Sequence, residues 1–317
     1  VEYHPIRPWR KRFHVARRDH RKLLIVDSRV AFTGGHNIGL EYAPVAEGGR
    51  GWHDMHLCCE GPIVVAAERL FRATWIGQGG GTYPVHRELL AVPAYPAKTA
   101  LAQLVHNQRL RQRFRFRRSY LQAIRRATRT ISIMNAYFVP DRGIRAALKE
   151  AAQRGVLVRI ILPGVSDLRV VRLATQRLYT SLLHAGVHVL EWPERMMHAK
   201  TAVIDGVWAM VGSYNLDNMS LRYNLEVGVA AVLQGEGEGR PASRHLLGRH
   251  GQVEGRHGDP LELAIHDLEL SRIGPGRDFD AKRVSAGADA PGDAYGQLHL
   301  VAVLGEQGHA GHVQVVP

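Results

Sequence analysis

His198–Asn215 reads HAKTAVIDGVWAMVGSYN, and it recurs almost position for position at His20–Asn37, HRKLLIVDSRVAFTGGHN. In both copies Lys lies two residues after His, Asp five after Lys, Gly seven after Asp and Asn three after Gly. Each copy reads as two β-rich runs, His198–Ile204 with Val207–Val211 and Leu23–Val26 with Val30–Thr33, joined at Asp205-Gly206 and Asp27-Ser28-Arg29. In a strand, residues two apart project from one face, so each His shares a face with its Lys. An imidazole beside a fixed ammonium suits a phosphate. A single copy of such a pattern is weak evidence; two at matching spacing read as two halves of one active site.

Outward from the second copy, helix and strand alternate. The pattern predicts a basic helix over Leu121–Arg129, strands over Thr130–Ala136 and Val156–Leu162, and a helix capped by Asp141 that stops at Gly155. A longer helix is expected from Ser166-Asp167 to Gly186, then strands over Val187–Glu191 and Leu225–Val232. Around the first copy only the end of this pattern is visible: Val1–Pro5, the two runs above, and His56–Glu60. The expected class is therefore α/β, two pseudo-symmetric α/β/α sandwich halves with mixed sheets, the first incomplete and the chain truncated before Val1. The expected divisions are 1–100 for the partial first half, 101–118 for a basic linker, 119–233 for the second half and 234–317 for a tail. That tail is Gly-, His- and Arg-rich and contains only Phe279 and Tyr295 as aromatics. Only Leu261–Leu270 and Leu298–Leu304 suggest elements in it, so it reads as weakly structured or as an out-of-frame translation.

The net charge of +13 in 317 residues points to an anionic partner, a phospholipid surface or nucleic acid. No apolar run reaches the ~20 residues of a bilayer span, and Val1–Pro5 is not a signal peptide. The two cysteines, Cys58 and Cys59, are strand neighbours that point to opposite faces, which suits burial rather than a disulfide. The histidines His4, His14, His106, His184 and His188 show no metal-ligand spacing. The run Arg109–Arg118 is expected to be a solvated linker, with contact to phosphates through its arginines, Phe114 and Phe116 as the alternative. Trp9 and Trp192 are placed either at the mouth of the site or in the core.

The expected catalytic set is His20, Lys22, Asn37, Asp54, His198, Lys200, Asn215 and Glu226. One His attacks phosphorus and forms a phosphohistidine; the other protonates the leaving alcohol and then deprotonates the acceptor. Lysines and asparagines stabilise the equatorial oxygens, and Gly34, Gly35, Gly212 and Ser213 let the backbone approach closely. Asp54 and Glu226 each follow an Asn and introduce a strand, which suggests that Asp54 orients His20 and Glu226 orients His198. Asp27 and Asp205 are expected to be structural, each bonding its own turn backbone. The arrangement calls for no metal and no cofactor.

The doubled H-x-K-x4-D with G-x-x-N resembles the phospholipase D superfamily over about Val1–Leu233. Trp52-His53-Asp54, NAYFVPDRGIRAALKEAAQRGVLVRIILPG and MHAKTAVIDGVWAMVGSYNLDNMSLRYNLE narrow the resemblance to bacterial cardiolipin synthases, especially the B type that lacks membrane spans. The resemblance implies transfer of a phosphatidyl group to phosphatidylglycerol, with His20 as nucleophile and His198 as acid and base. It implies a peripheral enzyme on the cytoplasmic face of the bacterial inner membrane, with a site built by both copies of one chain. Anionic phospholipid is then favoured over nucleic acid as partner. A phospholipase D-type hydrolase or nuclease, and an inactive phosphate-binding fragment, are the competing expectations.

Overall fold

The computed structural model describes residues 18–83, 101–108 and 110–232, with the dipeptides 271–272, 299–300 and 315–316. Val1–Pro5, Trp9 and Leu261–Leu270 lie outside the described residues, as does most of Leu298–Leu304. The first half supplies β1 (Leu23–Val26), β2 (Val30–Gly34) and β3 (His56–Glu60), an antiparallel sheet backed by α1 (Pro62–Gly77). The second half supplies β4 (Leu101–His106), α2 (Arg115–Arg126), β5 (Thr130–Asn135), α3 (Arg142–Gln153), β6 (Leu157–Val165) and α4 (Arg169–Leu183). It continues through β7 (His188–Met196), β8 (Lys200–Ile204), β9 (Trp208–Gly212), α5 (Asn218–Arg222) and β10 (Val227–Val232).

These strands form one mixed sheet in the order β7-β6-β5-β8-β9-β10-β4, extended beyond β7 by Ser271–Arg272. Parallel pairing of β5, β6 and β7 follows from the crossovers through α3 and α4. A tight hairpin makes β8 and β9 antiparallel, and the connection through α5 returns the chain as β10, antiparallel to β9. The Asp205-Gly206 turn has φ of 56° and 67°, and Asp27-Ser28 has 52° and 53°, the left-handed geometry of a tight hairpin.

Every residue of β8, β9 and β10 is buried, because both sheet faces are covered. Ile131, Ile133, Ala202, Trp208 and Met210 pack under α2 and α3 with Phe116, Tyr120 and Ile144. Their alternates Met134, Val203, Ala209 and Val211 pack with Ala31, Leu57, Ile63 and Leu70 of the first half. The two halves therefore share a core, and the second sheet is the floor of the first. Cys59 is buried and Cys58 half-buried, and neither is in a disulfide, as expected of adjacent strand positions.

The expected linker over 101–118 is corrected at both ends. Leu101–His106 is the edge strand paired antiparallel to β10. Arg115–Arg118 form the first turn of α2, which starts earlier than the predicted helix and ends at Arg126, ahead of Thr128–Thr130, whose N–H groups donate to Asp205. Phe116 is fully buried, stacked on Tyr214 at 4.5 Å, so it has no access to a phosphate; Phe114 remains exposed. Burying such a ring contributes roughly 1.5–3 kcal/mol, enough to hold a strongly basic helix against the sheet. α3 starts as predicted, with the Asp141 carboxylate accepting from Gly143 N–H, and Gly155 follows it at φ 89°.

Candidate active site

Two isolated parallel bridges join the halves, Asp19 with Leu225 and His53 with Met197. In the first, His20 N–H donates to Leu225 O at 2.9 Å and Leu225 N–H to Arg18 O at 2.8 Å. In the second, His53 N–H donates to Met196 O at 2.9 Å and His198 N–H to His53 O at 2.7 Å. Parallel pairing brings the next residue of each chain side by side. His20 therefore lies beside Glu226, and His198 beside Asp54.

The side chains meet accordingly. His20 Nδ1 is 3.1 Å from Glu226 Oε2, and His198 Nδ1 is 2.8 Å from Asp54 Oδ2. This corrects the expected pairing: each carboxylate orients the histidine of the opposite half, not its own. Order along the chain suggested pairing within a half, whereas the inter-half bridges decide it. The consequence is chemical. Neither half holds a complete histidine–carboxylate pair, and both imidazoles turn their Nδ1 to a carboxylate, leaving Nε2 for reaction.

Glu226 is fully buried and also accepts from Ser213 Oγ and, at 2.8 Å, from Ser220 Oγ. Its N–H donates to Asn107 Oδ1 at 2.7 Å, and Asn107 Nδ2 donates to Asn224 O. Asp54, also buried, accepts Met55 N–H on Oδ1 at 2.7 Å. At the place that Ser213 occupies in the other half stands Gly35, where a Cβ would lie 2.2 Å from Asp54 Oδ1. Gly35→Ala is thus expected to push Asp54 off His198, lowering turnover at this site by about 10²-fold. Steady-state kinetics of the variant checks it.

Lys22 Nζ donates to His20 O at 2.7 Å, and Lys200 Nζ donates to His198 O. Burial holds both ammonium groups below their ordinary range, partly offset by the charges of Asp54 and Glu226. For Lys200 the value falls to about 8. His198, with 6% of its side chain exposed, is also lowered by burial, opposed by its bond to Asp54 and reinforced by Lys200. His20 is 30% exposed and is the more accessible imidazole.

The two asparagines are not equivalent. Asn215 is buried and its Oδ1 has no hydrogen-bond partner among the described residues. Asn37 is exposed, and its Nδ2 donates to Tyr42 Oη at 3.2 Å. Asp205 is structural, but it does not bond its own turn. Its carboxylate accepts from the N–H groups of Thr128, Arg129 and Thr130 at 2.7–2.8 Å, pinning the entry to β5. Gly34 and Gly212 sit where a Cβ would come within 2.6 Å of the neighbouring strand's backbone.

Three aromatic residues that sequence reasoning passed over enclose His198. Tyr42 Oη is 2.8 Å from its Nδ1, the Trp52 ring lies 5.6 Å away and the Tyr137 ring 5.9 Å away. Tyr137 Oη in turn donates to Asp167 at 2.9 Å. Trp192 stacks on His53 at 4.3 Å, beside the second bridge. Tyr42 lies in a segment without periodicity, whereas Trp52 and Tyr137 stand inside the Trp52-His53-Asp54 and NAYFVPDRG strings, which were the signal for them. Among the described residues no group of three His, Cys, Asp or Glu side chains is arranged to hold a metal ion.

Counting formal charges, two lysines balance two carboxylates, so a site with one imidazolium carries one positive charge. That complements one phosphodiester anion. Residues 120–234 match a family described as cardiolipin synthase, PLD-like domain. Cardiolipin synthase A of Pseudomonas putida (strain GB-1) is 35% identical over 229 residues, covering 71% of this chain and 46% of that protein. The chain belongs to the phospholipase D superfamily.

Within that superfamily, cardiolipin synthase A of Pseudomonas aeruginosa (strain LESB58) is likewise 35% identical over 224 residues, 71% of this chain and 45% of that protein. These relatives carry the A designation, where the motif strings had suggested the B type. The chain spans about half the length of the curated relatives it matches. The crystal structure of phosphatidylserine synthase from Haemophilus influenzae Rd KW20 has a similar phospholipase D-type fold, with a TM-score of 0.50 at 11% identity over 81% of this chain and 64% of that one.

Proposed function

We propose that the chain carries out cardiolipin synthase-type phosphatidyl transfer through a phosphohistidine on His20. The observation that carries this reading is the pair of crossed histidine–carboxylate contacts, which leaves two Nε2 atoms free beside two ammonium groups. His20 Nε2 attacks the phosphorus of a donor phospholipid, forming the N–P bond as the bond to the leaving oxygen breaks. His198, protonated once the phosphate anion arrives beside it, gives its Nε2 proton to that oxygen. The hydroxyl of phosphatidylglycerol then loses its proton to His198 and attacks phosphorus, breaking the N–P bond and releasing neutral His20. Lys22, Lys200 and the Asn215 amide stabilise the charge on the equatorial oxygens. The greater exposure of His20 favours it as the nucleophile that must meet a bulky lipid. The same exposure supports a second reading, in which water takes the phosphatidyl group and the product is phosphatidic acid.

Product analysis with phosphatidylglycerol vesicles separates them. Diphosphatidylglycerol as the main phosphorus-containing product supports transfer; phosphatidic acid or cut DNA without it contradicts transfer.

The lysines set a pH signature. Lys200 holds its proton to about 8 in the folded chain but to its ordinary value of 10.5 when unfolded. Between those values the unfolded chain binds more protons, so this group's cost to stability, present in full below about 8, is relieved as pH rises. Activity moves the other way, because the cation that faces the phosphate is lost above about 8. Thermal melting and turnover measured from pH 7 to 10 should therefore diverge, stability holding or rising while the rate falls.

A further inference from the structure

The phosphate-facing ends of the strands are all at one end of the molecule: β5, β6 and β9 finish there, and β8, β10 and β3 begin there. Among the connections that leave this end are β2–β3, β6–α4 and β9–β10. Nine of the sixteen large apolar side chains exposed among the described residues lie in these connections or at the strand and helix ends they join. Each connection also reaches the site, directly or through one side chain. Tyr42 bonds His198, Asp167 accepts from the Tyr137 that flanks His198, and Ser220 bonds Glu226.

We infer that these three connections form a rim that seats on an anionic phospholipid surface, with Ile38, Leu40, Leu168, Val170, Leu173 and Met219 entering its interfacial layer. The inference rests on the lipid-transfer reading of the site. Val170 is 79% and Leu173 63% exposed, one helical turn apart at the start of α4, and Ile38 is fully exposed. A soluble surface has no reason to gather apolar groups around a mouth that receives an anion. A bilayer interface explains both, because headgroup phosphates lie just above the acyl chains. Arg169 and Arg222, both exposed, alternate with Leu168, Val170 and Met219, and the chain carries a net +13. Basic groups at that depth bind headgroups and lose strength with salt. The partner that matches apolar tips, interleaved arginines and a phosphodiester site is thus an anionic lipid surface rather than a second protein.

The test is sedimentation of the 317-residue chain with vesicles of phosphatidylglycerol in phosphatidylcholine, against phosphatidylcholine alone. The double variant V170D/L173D is expected to partition at least about tenfold less. Leu157→Asp, exposed at the opposite end of β6, serves as the control and is expected to partition like the unmodified chain. Equal melting temperatures show that the exposed substitutions leave the fold intact. Unchanged partitioning of V170D/L173D overturns the rim, as does an equal loss in Leu157→Asp. A shift of V170D/L173D from dimer to monomer without lipid also overturns it, in favour of a second copy on this face. Partitioning is read without turnover, so failure of the transfer reading appears in the product analysis and failure of the rim in sedimentation.

Discussion

Replacing His20 by asparagine is expected to lower phosphatidyl transfer by on the order of 10⁴-fold or more, the usual scale when a nucleophile acting as part of a unit is removed. Asparagine is close in size and half-exposure makes the site tolerant, so the fold should survive. The variant also removes the proposed point of covalent attachment. Acid-sensitive, base-stable phosphorus should label the unmodified chain during turnover with radiolabelled donor lipid and be absent from His20→Asn. His198→Asn should differ in kind: attack by His20 can still proceed, but without a proton for the leaving alcohol, so labelling slows rather than loses its site. Label at His198 with none at His20 would reverse the two roles.

Glu226→Gln is the second large effect, and it falls on both activity and stability. The carboxylate takes His20 Nδ1–H, Ser213 Oγ and Ser220 Oγ in a site with no exposure. A glutamine amide turns a donor toward one of these donors and removes the charge that holds the imidazole. Loss of an orienting carboxylate in a comparable triad costs about 10⁴-fold in rate, so a similar fall is expected here. Leaving a buried donor without its acceptor costs about 1–3 kcal/mol, and rotation of the serine hydroxyls offsets part of it, leaving roughly 2 kcal/mol. Urea unfolding measures this directly. Asp54→Asn should cost less stability than Glu226→Gln, because Asp54 lacks the two serine donors.

The residue types of the candidate site were legible because each motif is local. His, Lys, Gly and Asn lie in or directly beside a single β-hairpin, and a period of two places His and Lys on one face. The helices and strands of 119–232 were legible for the same reason, through Asp141, Gly155 and Gly186 as their punctuation. What was not legible is whatever the two bridges decide. Asp54 and His198 are 144 residues apart and His20 and Glu226 are 206 apart, and nothing in either segment states which carboxylate faces which imidazole. Tyr42 lies in a loop of short 3₁₀ turns without periodicity, so its place at His198 follows only from folding of the β2–β3 connection. Leu101–His106 was hidden beside a basic run whose charge looked like a linker; its strand character depends on the open edge of β10. Phe116 looked exposed among arginines, yet helical spacing with Tyr120 turns both toward the core.

The crossed pairing itself is tested most directly by long-range proton–nitrogen correlation spectra of the imidazole rings, recorded on the unmodified chain and on each carboxylate variant near neutral pH. A hydrogen-bonded Nδ1–H gives a downfield, slowly exchanging signal for each of the two histidines. Asp54→Asn should remove that signal from His198 and leave it on His20, while Glu226→Gln should remove it from His20 and leave it on His198. Loss from His20 in Asp54→Asn, with His198 untouched, would show each half orienting its own histidine and would contradict the shared site.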